Sequence, residues 1–427
     1  MGEPQTVTID RIGADGDGIA GLDDDSLAYL PYTLPGEEVR TGGLTKRGQG
    51  WTSSAEILAP SPFRQTAPCP HFGACGGCTL QHWQDAPYAE WKSAQVLAAL
   101  VRAGFADVAM APLARTPPHD RRRVDLALFR DGKTVAVGLH RHRGADVIDL
   151  HTCLVIEPKL VALIGALRQA MPGISGLRRT GSALANMLDS GIDLLLRTDA
   201  LLSADDRLAL ADLAKQAGAA RISWALGDGP PETASQLAPI VTNLAGAAVS
   251  PPTGTFLQAS RAGAAAITAA VLAGLPATIA SRGTVIELFA GCGTLTFALA
   301  ERARVVAYEG NAAAYAALRS AITGRRIEAV HRDLARQPLM VKELAGAAAI
   351  VLDPPFVGAA AQMQAIAGSG VMRVIYVSCN PAALARDARV LRDAGYTLAT
   401  ATPVDQFLWS AAVESVCVFE RERVKRR

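Results

Sequence analysis

At 427 residues, with 50% hydrophobic and 19% charged content, the chain can bury a sizeable core and has the length of about three domains. Lys+Arg 42 against Asp+Glu 40 leaves a net charge of +2, so bulk charge does not announce a nucleic-acid partner and any such role must rest on local clusters. No charged start leads into an apolar segment, and no apolar run reaches about 18 residues, so a cytoplasmic protein away from the membrane is expected.

Residues 1–60 read as a small all-β module, in which β-prone runs at 6–10, 27–32 and 51–58 alternate with Gly- and Asp-rich turns. Pro60, Pro62 and Pro68 mark a linker over 60–68. The next region, 61–250, opens with Cys69, Cys75 and Cys78 and mixes strands, such as 124–129 and 135–139, with helices. Cys-x5-Cys-x2-Cys, with Cys153 as the obvious fourth thiolate, suits an iron–sulfur cluster or zinc, and spacing alone does not separate the two. Arg121, Arg122 and Arg123, Arg141-His142-Arg143, and the tail Lys425-Arg426-Arg427 are basic clusters of the kind that meet phosphates. The run 249–255, rich in turn residues, is the next break.

Residues 251–427 carry a regular pattern. Near-continuous apolar strands at 285–290, 305–309, 349–353 and 373–378 alternate with helices, which predicts a parallel sheet covered on both faces. Two consecutive strands, 396–404 and 413–419, finish the chain. Ligands of such sheets bind at the carboxyl ends of the strands. There stands Glu287-Leu-Phe-Ala-Gly-Cys-Gly-Thr294, whose Gly291 and Gly293 allow a tight turn and close approach. It lacks the third glycine of the dinucleotide fingerprint, so NAD fits poorly. Glu309 ends the following strand, placed to accept from both hydroxyls of a ribose, and Asp353-Pro354-Pro355 ends the fourth. Three such features at successive strand ends make S-adenosylmethionine the expected ligand.

Tyr376-Val-Ser-Cys-Asn-Pro381 puts Cys379 just past a buried strand, at the start of a helix whose unpaired N–H groups favour a thiolate. A soft nucleophile answers a specific need: uracil carbon 5 attacks a methyl sulfonium only after addition to carbon 6 has made the ring an enolate. A base must then remove the carbon-5 proton, and Glu414, opening the last strand, is the candidate.

Cys-x5-Cys-x2-Cys, Phe256-Leu-Gln258, Glu287-Leu-Phe-Ala-Gly-Cys-Gly293, Asp353-Pro-Pro and Tyr376-Val-Ser-Cys-Asn-Pro381 together resemble the RNA uracil-5-methyltransferases, nearest to the iron–sulfur type that modifies ribosomal RNA. The resemblance runs over nearly the whole chain. It implies a multidomain α/β protein: a TRAM module (an OB-type barrel that binds RNA) at 1–60, an α+β central domain carrying a cluster at 61–250, and a class I (Rossmann-like) methyltransferase domain at 251–427. The segment at about 86–112 is expected to pack with the last of these. Carried over residue by residue, the resemblance implies cofactor contacts from Gln258, Phe289, Glu309 and Asp353. It further implies Cys379 as nucleophile, Glu414 as base, and a four-iron four-sulfur cluster on Cys69, Cys75, Cys78 and Cys153. Gly291, Gly293, Thr294 and Asp333 complete the expected cofactor contacts. RNA contacts are expected from Arg121, Arg122, Arg123 and Phe356, in a monomer.

The sequence departs from the family where Phe356 replaces the usual Arg, Thr294 a frequent Asn and Ala412 a frequent His. Asp-Pro-Pro-Phe resembles the motif of enzymes that methylate exocyclic amines of adenine or guanine. An amine-directed RNA methyltransferase is therefore the alternative reading, and a non-catalytic RNA-binding maturation factor is a third.

Overall fold

The computed structural model describes residues 3–48 and 50–421; the basic tail 425–427 lies outside them. Residues 6–59 form two small sheets of three and five strands around Val7, Ile9, Ala20, Ala28, Leu30, Val39 and Leu44. The alternation of buried and exposed side chains in Thr6–Thr8 and Glu38–Thr41 gives each strand one apolar face. The expected strand at 51–58 is broken into Gly50–Thr52 and Ala55–Ala59, which join different sheets.

A seven-stranded sheet follows, with Arg123–Asp131, Thr180–Leu188 and Gly191–Thr198 at its centre. Helices Pro158–Ala170 and Ala204–Ala217 seal one core against it through Leu160, Leu163, Leu167, Leu210 and Leu213. Ser203 caps the second helix, its hydroxyl accepting from the Asp206 N–H.

The third sheet positions the site. Its strands are β1 (Thr284–Leu288), β2 (Arg304–Glu309), β3 (Ile327–His331), β4 (Ala349–Leu352), β5 (Arg373–Ser378), β6 (Thr397–Asp405) and β7 (Glu414–Glu420). Their spatial order is β3-β2-β1-β4-β5-β7-β6, with the short strand Ala114–Arg115 added beside β6. β1 to β5 are parallel, and β7 runs antiparallel to both its neighbours. β4 and β7 are buried on both faces, except at Glu420, which is why they read as unbroken apolar runs. Chain order reverses between β1 and β4, so a crevice opens at their carboxyl ends.

Helix Asp85–Ala103, although it precedes the seven-stranded sheet in sequence, buries Val96, Ala99, Leu100 and Ala103 in the same core as Ile286, Leu352, Tyr376 and Leu391 of the third sheet and its helices. Its last turn ends at Gly104, in the left-handed conformation with φ 95°.

Candidate functional site

β1 ends in a turn whose backbone is left-handed at three positions: Phe289 (φ 64°), Gly291 (φ 58°) and Gly293 (φ 100°). Such a φ costs a phenylalanine on the order of 1–3 kcal/mol, and it persists because the strand and turn fix the backbone on both sides. A Cβ on Gly291 would meet nothing within 4 Å, so that glycine borders open space; one on Gly293 would come within 2.5 Å of the Phe297 ring. Glu309, at the end of β2, accepts from the Gly291 N–H at 2.7 Å and the Asn311 N–H at 2.6 Å. Asp333 lies beside it, its Cα 3.2 Å from where a Cβ on Gly310 would stand, and Thr294 is half-buried in the glycine turn.

Glu287 lies beneath that turn. Burial pushes its carboxyl up to about 8, and the charges of Asp353 and Glu309 add to the shift. The Thr296 hydroxyl lies near enough to oppose that rise, but Oε2 is buried without a partner in hydrogen-bond geometry among the described residues, so a ligand bringing a cationic or donor group would satisfy it. The strand-end acids, the open backbone at Gly291 and this orphaned oxygen fit the ammonium and ribose of S-adenosylmethionine.

Beside this cradle, four side chains from distant parts of the chain form one polar chain. Gln258 Nε2 donates to Asp353 Oδ2 at 2.9 Å. Gln406 Nε2 donates to Gln258 Oε1 at 2.8 Å and to Glu414 Oε2 at 2.7 Å. Gln406 Oε1 in turn accepts from the Ala259 N–H at 3.1 Å. Gln258, Gln406 and Glu414 are at most 4% exposed. Burial raises the carboxyls of both Asp353 and Glu414; the charge of Asp353 raises Glu414 further, while the Gln406 amide opposes the rise.

Cys379 follows β5 and faces this pair. Burial pushes its thiol up to about 12, with Glu414 and then Asp353 adding to the rise. The expectation of a thiolate favoured by a helix N-terminus is thus corrected. Asn380 is the N-cap of helix Pro381–Asp393, and its Oδ1 takes the N–H groups of Ala382 and Ala383. Among the described residues the N–H groups of Ala382 and Ala383 are taken from the sulfur, its own backbone N–H is the one amide that favours the thiolate, and two carboxylates oppose its charge. Asn380 Nδ2 also holds the 354–358 loop by donating to the Phe356 carbonyl at 2.9 Å. The Phe356 ring itself is exposed.

Within the arginine triplet, Arg122 is a second correction. Arg122 is buried, and its Nε donates to the Gln258 carbonyl at 3.1 Å. It packs behind the site as a backbone brace and presents no guanidinium to a phosphate. Arg121 lines the cysteine cavity, and Arg123 lines it too, with its guanidinium 5.5 Å from the Phe256 ring centre.

That cavity, about 280 Å³, is lined by Cys69, Cys75, Cys78 and Cys153. All four are free thiols. Burial raises Cys75, Cys78 (to about 12) and Cys153, and the other thiols contribute to each rise. Among the described residues no three His, Cys, Asp or Glu side chains gather tightly enough to hold one metal ion.

Residues missed in the sequence hold the loop between β6 and β7. Lys92 and Asp405 are wholly buried and pair at 2.8 Å. Lys92 also donates to the Ala412 and Phe407 carbonyls, and the Tyr88 hydroxyl donates to Asp405 at 2.6 Å. Trp409, left-handed at φ 59°, donates its N–H to Tyr88 and accepts from the Thr79 and Leu80 N–H groups. The apolar spacing of helix Asp85–Ala103 carries no signal for its buried lysine, and Gln406 has no motif of its own.

No protein-family model matches the chain. Over 428 residues it is 41% identical to an uncharacterised RNA methyltransferase of Caulobacter vibrioides, covering 98% of this chain and 100% of that one. It is 32% identical over 428 residues to the 23S rRNA (uracil(1939)-C(5))-methyltransferase of Pectobacterium atrosepticum, covering 97% of this chain and 93% of the other. Among solved structures, the tRNA (uracil-54, C5)-methyltransferase of Pyrococcus abyssi, in complex with S-adenosyl-L-homocysteine, superposes with a TM-score of 0.77 over 97% of this chain and 99% of that one. At 18% identity this is a likeness of fold.

Proposed function

The chain belongs to the RNA methyltransferases, and from that membership we propose that it methylates carbon 5 of a uridine in ribosomal RNA, with Cys379 as nucleophile and Glu414 as base. The observation that carries this reading is the convergence of Cys379, Glu414, Asp353 and Gln258 beside a glycine turn at the carboxyl ends of parallel strands. The 32% identity to a 23S rRNA uracil-C5 enzyme supports the substrate.

S-adenosylmethionine supplies an electrophilic methyl group when bound; Glu309 would hold its ribose and Glu287, Phe289, Gly291, Gly293, Thr294 and Asp333 would line its cradle. The chain's own residues do the rest. With its thiol pushed up to about 12, Cys379 must pass its proton on before it adds, and the Asp353 carboxylate is the proposed acceptor, which leaves Glu414 unprotonated for the carbon-5 proton. The sulfur adds to carbon 6, carbon 5 becomes nucleophilic and takes the methyl group, and Glu414 removes the carbon-5 proton. The carbon–sulfur bond then breaks and the double bond returns. A uracil stacked in a helix cannot present carbon 6 to Cys379, so the target must be single-stranded or extruded. The exposed Phe356 ring offers a stacking face for it.

The four cysteines are proposed to hold a four-iron four-sulfur cluster. A lone zinc ion would need its thiolates about 2.3 Å from one point; here they border a cavity instead, with Arg121 beside them to offset negative charge. The N-terminal sheets are proposed to act as the TRAM module that binds RNA.

The amine-directed alternative rests on Asp353-Pro-Pro-Phe356 and leaves Cys379 idle. Nucleoside mass spectrometry of ribosomal RNA from cells with and without the protein tests both. Loss of 5-methyluridine is expected; loss of a methylated exocyclic amine with 5-methyluridine unchanged would overturn the reading.

A further inference from the structure

Gln406 lies 148 residues from Gln258 in sequence, yet its amide is the only group among the described residues that bonds both Gln258 and Glu414. Both N–H groups of that amide and one of the two acceptor positions on its oxygen are used. Its Oε1 accepts from the Ala259 N–H, and its two N–H groups go to Gln258 Oε1 and Glu414 Oε2. The polarity of the chain therefore runs one way, from the Ala259 backbone through Gln406 and Gln258 to Asp353.

This polarity makes the two oxygens of Glu414 unequal. Oε2 is engaged as an acceptor and cannot also be the protonated oxygen facing Gln406; Oε1 has no protein partner among the described residues. We propose that Gln406 is a positioning residue that orients Glu414 so that Oε1 alone receives the carbon-5 proton, and that it locks the Gln258 amide in the same act. The inference rests on the reading of Glu414 as the base and adds the group that aims it. In the step concerned, the carbon-5 proton passes to Oε1 and the C–H electron pair forms the carbon 5–carbon 6 double bond. The carbon 6–sulfur pair leaves with Cys379 as thiolate.

The titratable groups around Glu414 are Asp353 from the end of β4 and Cys379 from the end of β5, and Asp353 in turn raises Glu287 on β1. Burial and then the charge of Asp353 oppose negative charge on Glu414, and the Gln406 donor counters them. Removing it raises the Glu414 carboxyl, and a base is competent only above its pKa, so the acid limb of product release moves to higher pH.

The test uses full-length Gln406→Met and Gln406→Glu proteins, S-adenosylmethionine and a target RNA with ordinary uridine. In both variants the acid limb should move up by about one pH unit, the equivalent of about 1.4 kcal/mol, and protein–RNA adduct should accumulate on denaturing gels, while any fall in S-adenosylmethionine affinity through the freed Gln258 is smaller than the fall in turnover. Two results overturn the proposal: an acid limb unchanged in both variants, or a loss of cofactor binding that accounts for all lost activity, which is what a merely structural glutamine would give. Failure of the underlying reading is separate and would appear as no adduct with the unmodified enzyme on RNA containing 5-fluorouridine.

Discussion

Replacing Lys92 with methionine keeps the aliphatic stem and deletes one ammonium. That ammonium serves three acceptors: Asp405 Oδ1 at 2.8 Å, the Phe407 carbonyl at 3.4 Å and the Ala412 carbonyl. Both charged partners are 0% exposed, so no water replaces the lost donor and the Asp405 carboxylate keeps only the Tyr88 hydroxyl opposite. Breaking a buried pair from one side costs about 3–5 kcal/mol, most of it the penalty on the stranded charge. Asp405 stands at the start of the loop 406–413 and Phe407 and Ala412 lie within it, so the loss should be concentrated there. Amide hydrogen exchange of residues 405–414, with urea unfolding of the whole chain, reads both. The Lys92→Met, Asp405→Asn double variant removes the stranded charge and should recover more than about 1 kcal/mol of the loss. A single variant within about 1 kcal/mol of the parent, or a double variant less stable than the single, would refute the assignment of this pair as the loop's anchor.

Glu309→Ala should weaken S-adenosylmethionine binding by about 1.5–3 kcal/mol, the scale for hydrogen bonds to a charged group; an unchanged dissociation constant in calorimetry would show that the ribose binds elsewhere. Anaerobically purified protein should be brown and carry iron and sulfide, and stoichiometric zinc without either would contradict the cluster. Alkylation of Cys379 by iodoacetamide should climb with pH well past the range in which an ordinary thiol levels off, because a thiol pushed up to about 12 gains thiolate only at high pH. A plateau near pH 9 would mean that burial and the two carboxylates do not control it.

The third sheet was legible because β1, β4 and β5 are covered on both faces and so read as apolar runs, with acids and glycines where the chain leaves the core. Glu309, Asp353 and Cys379 could be placed from that rule alone. The insertion of β7 between β5 and β6 was not legible, since strand order is set by pairings such as Val416 opposite Val377 that no local pattern encodes. Arg122 looked like surface charge, but the Gln258 carbonyl behind it turns a basic residue into a brace. Lys92 and Gln406 escaped because their partners are 313 and 148 residues away, and a polar residue shows its purpose only when its partner is known. The thiol was misjudged for a local reason: Asn380, in plain view as a capping residue, takes the amides that Cys379 was expected to use.

The most direct measurement is covalent trapping on RNA with 5-fluorouridine at the target. If Cys379 adds to carbon 6, methylation leaves a fluorine that cannot depart as a proton does, and a protein–RNA adduct must survive denaturing electrophoresis. Cys379→Ala should abolish adduct and product together, while Glu414→Gln should accumulate adduct on ordinary uridine because elimination stalls after methyl transfer. Full activity of Cys379→Ala, with no adduct in any of the three experiments, would contradict the account.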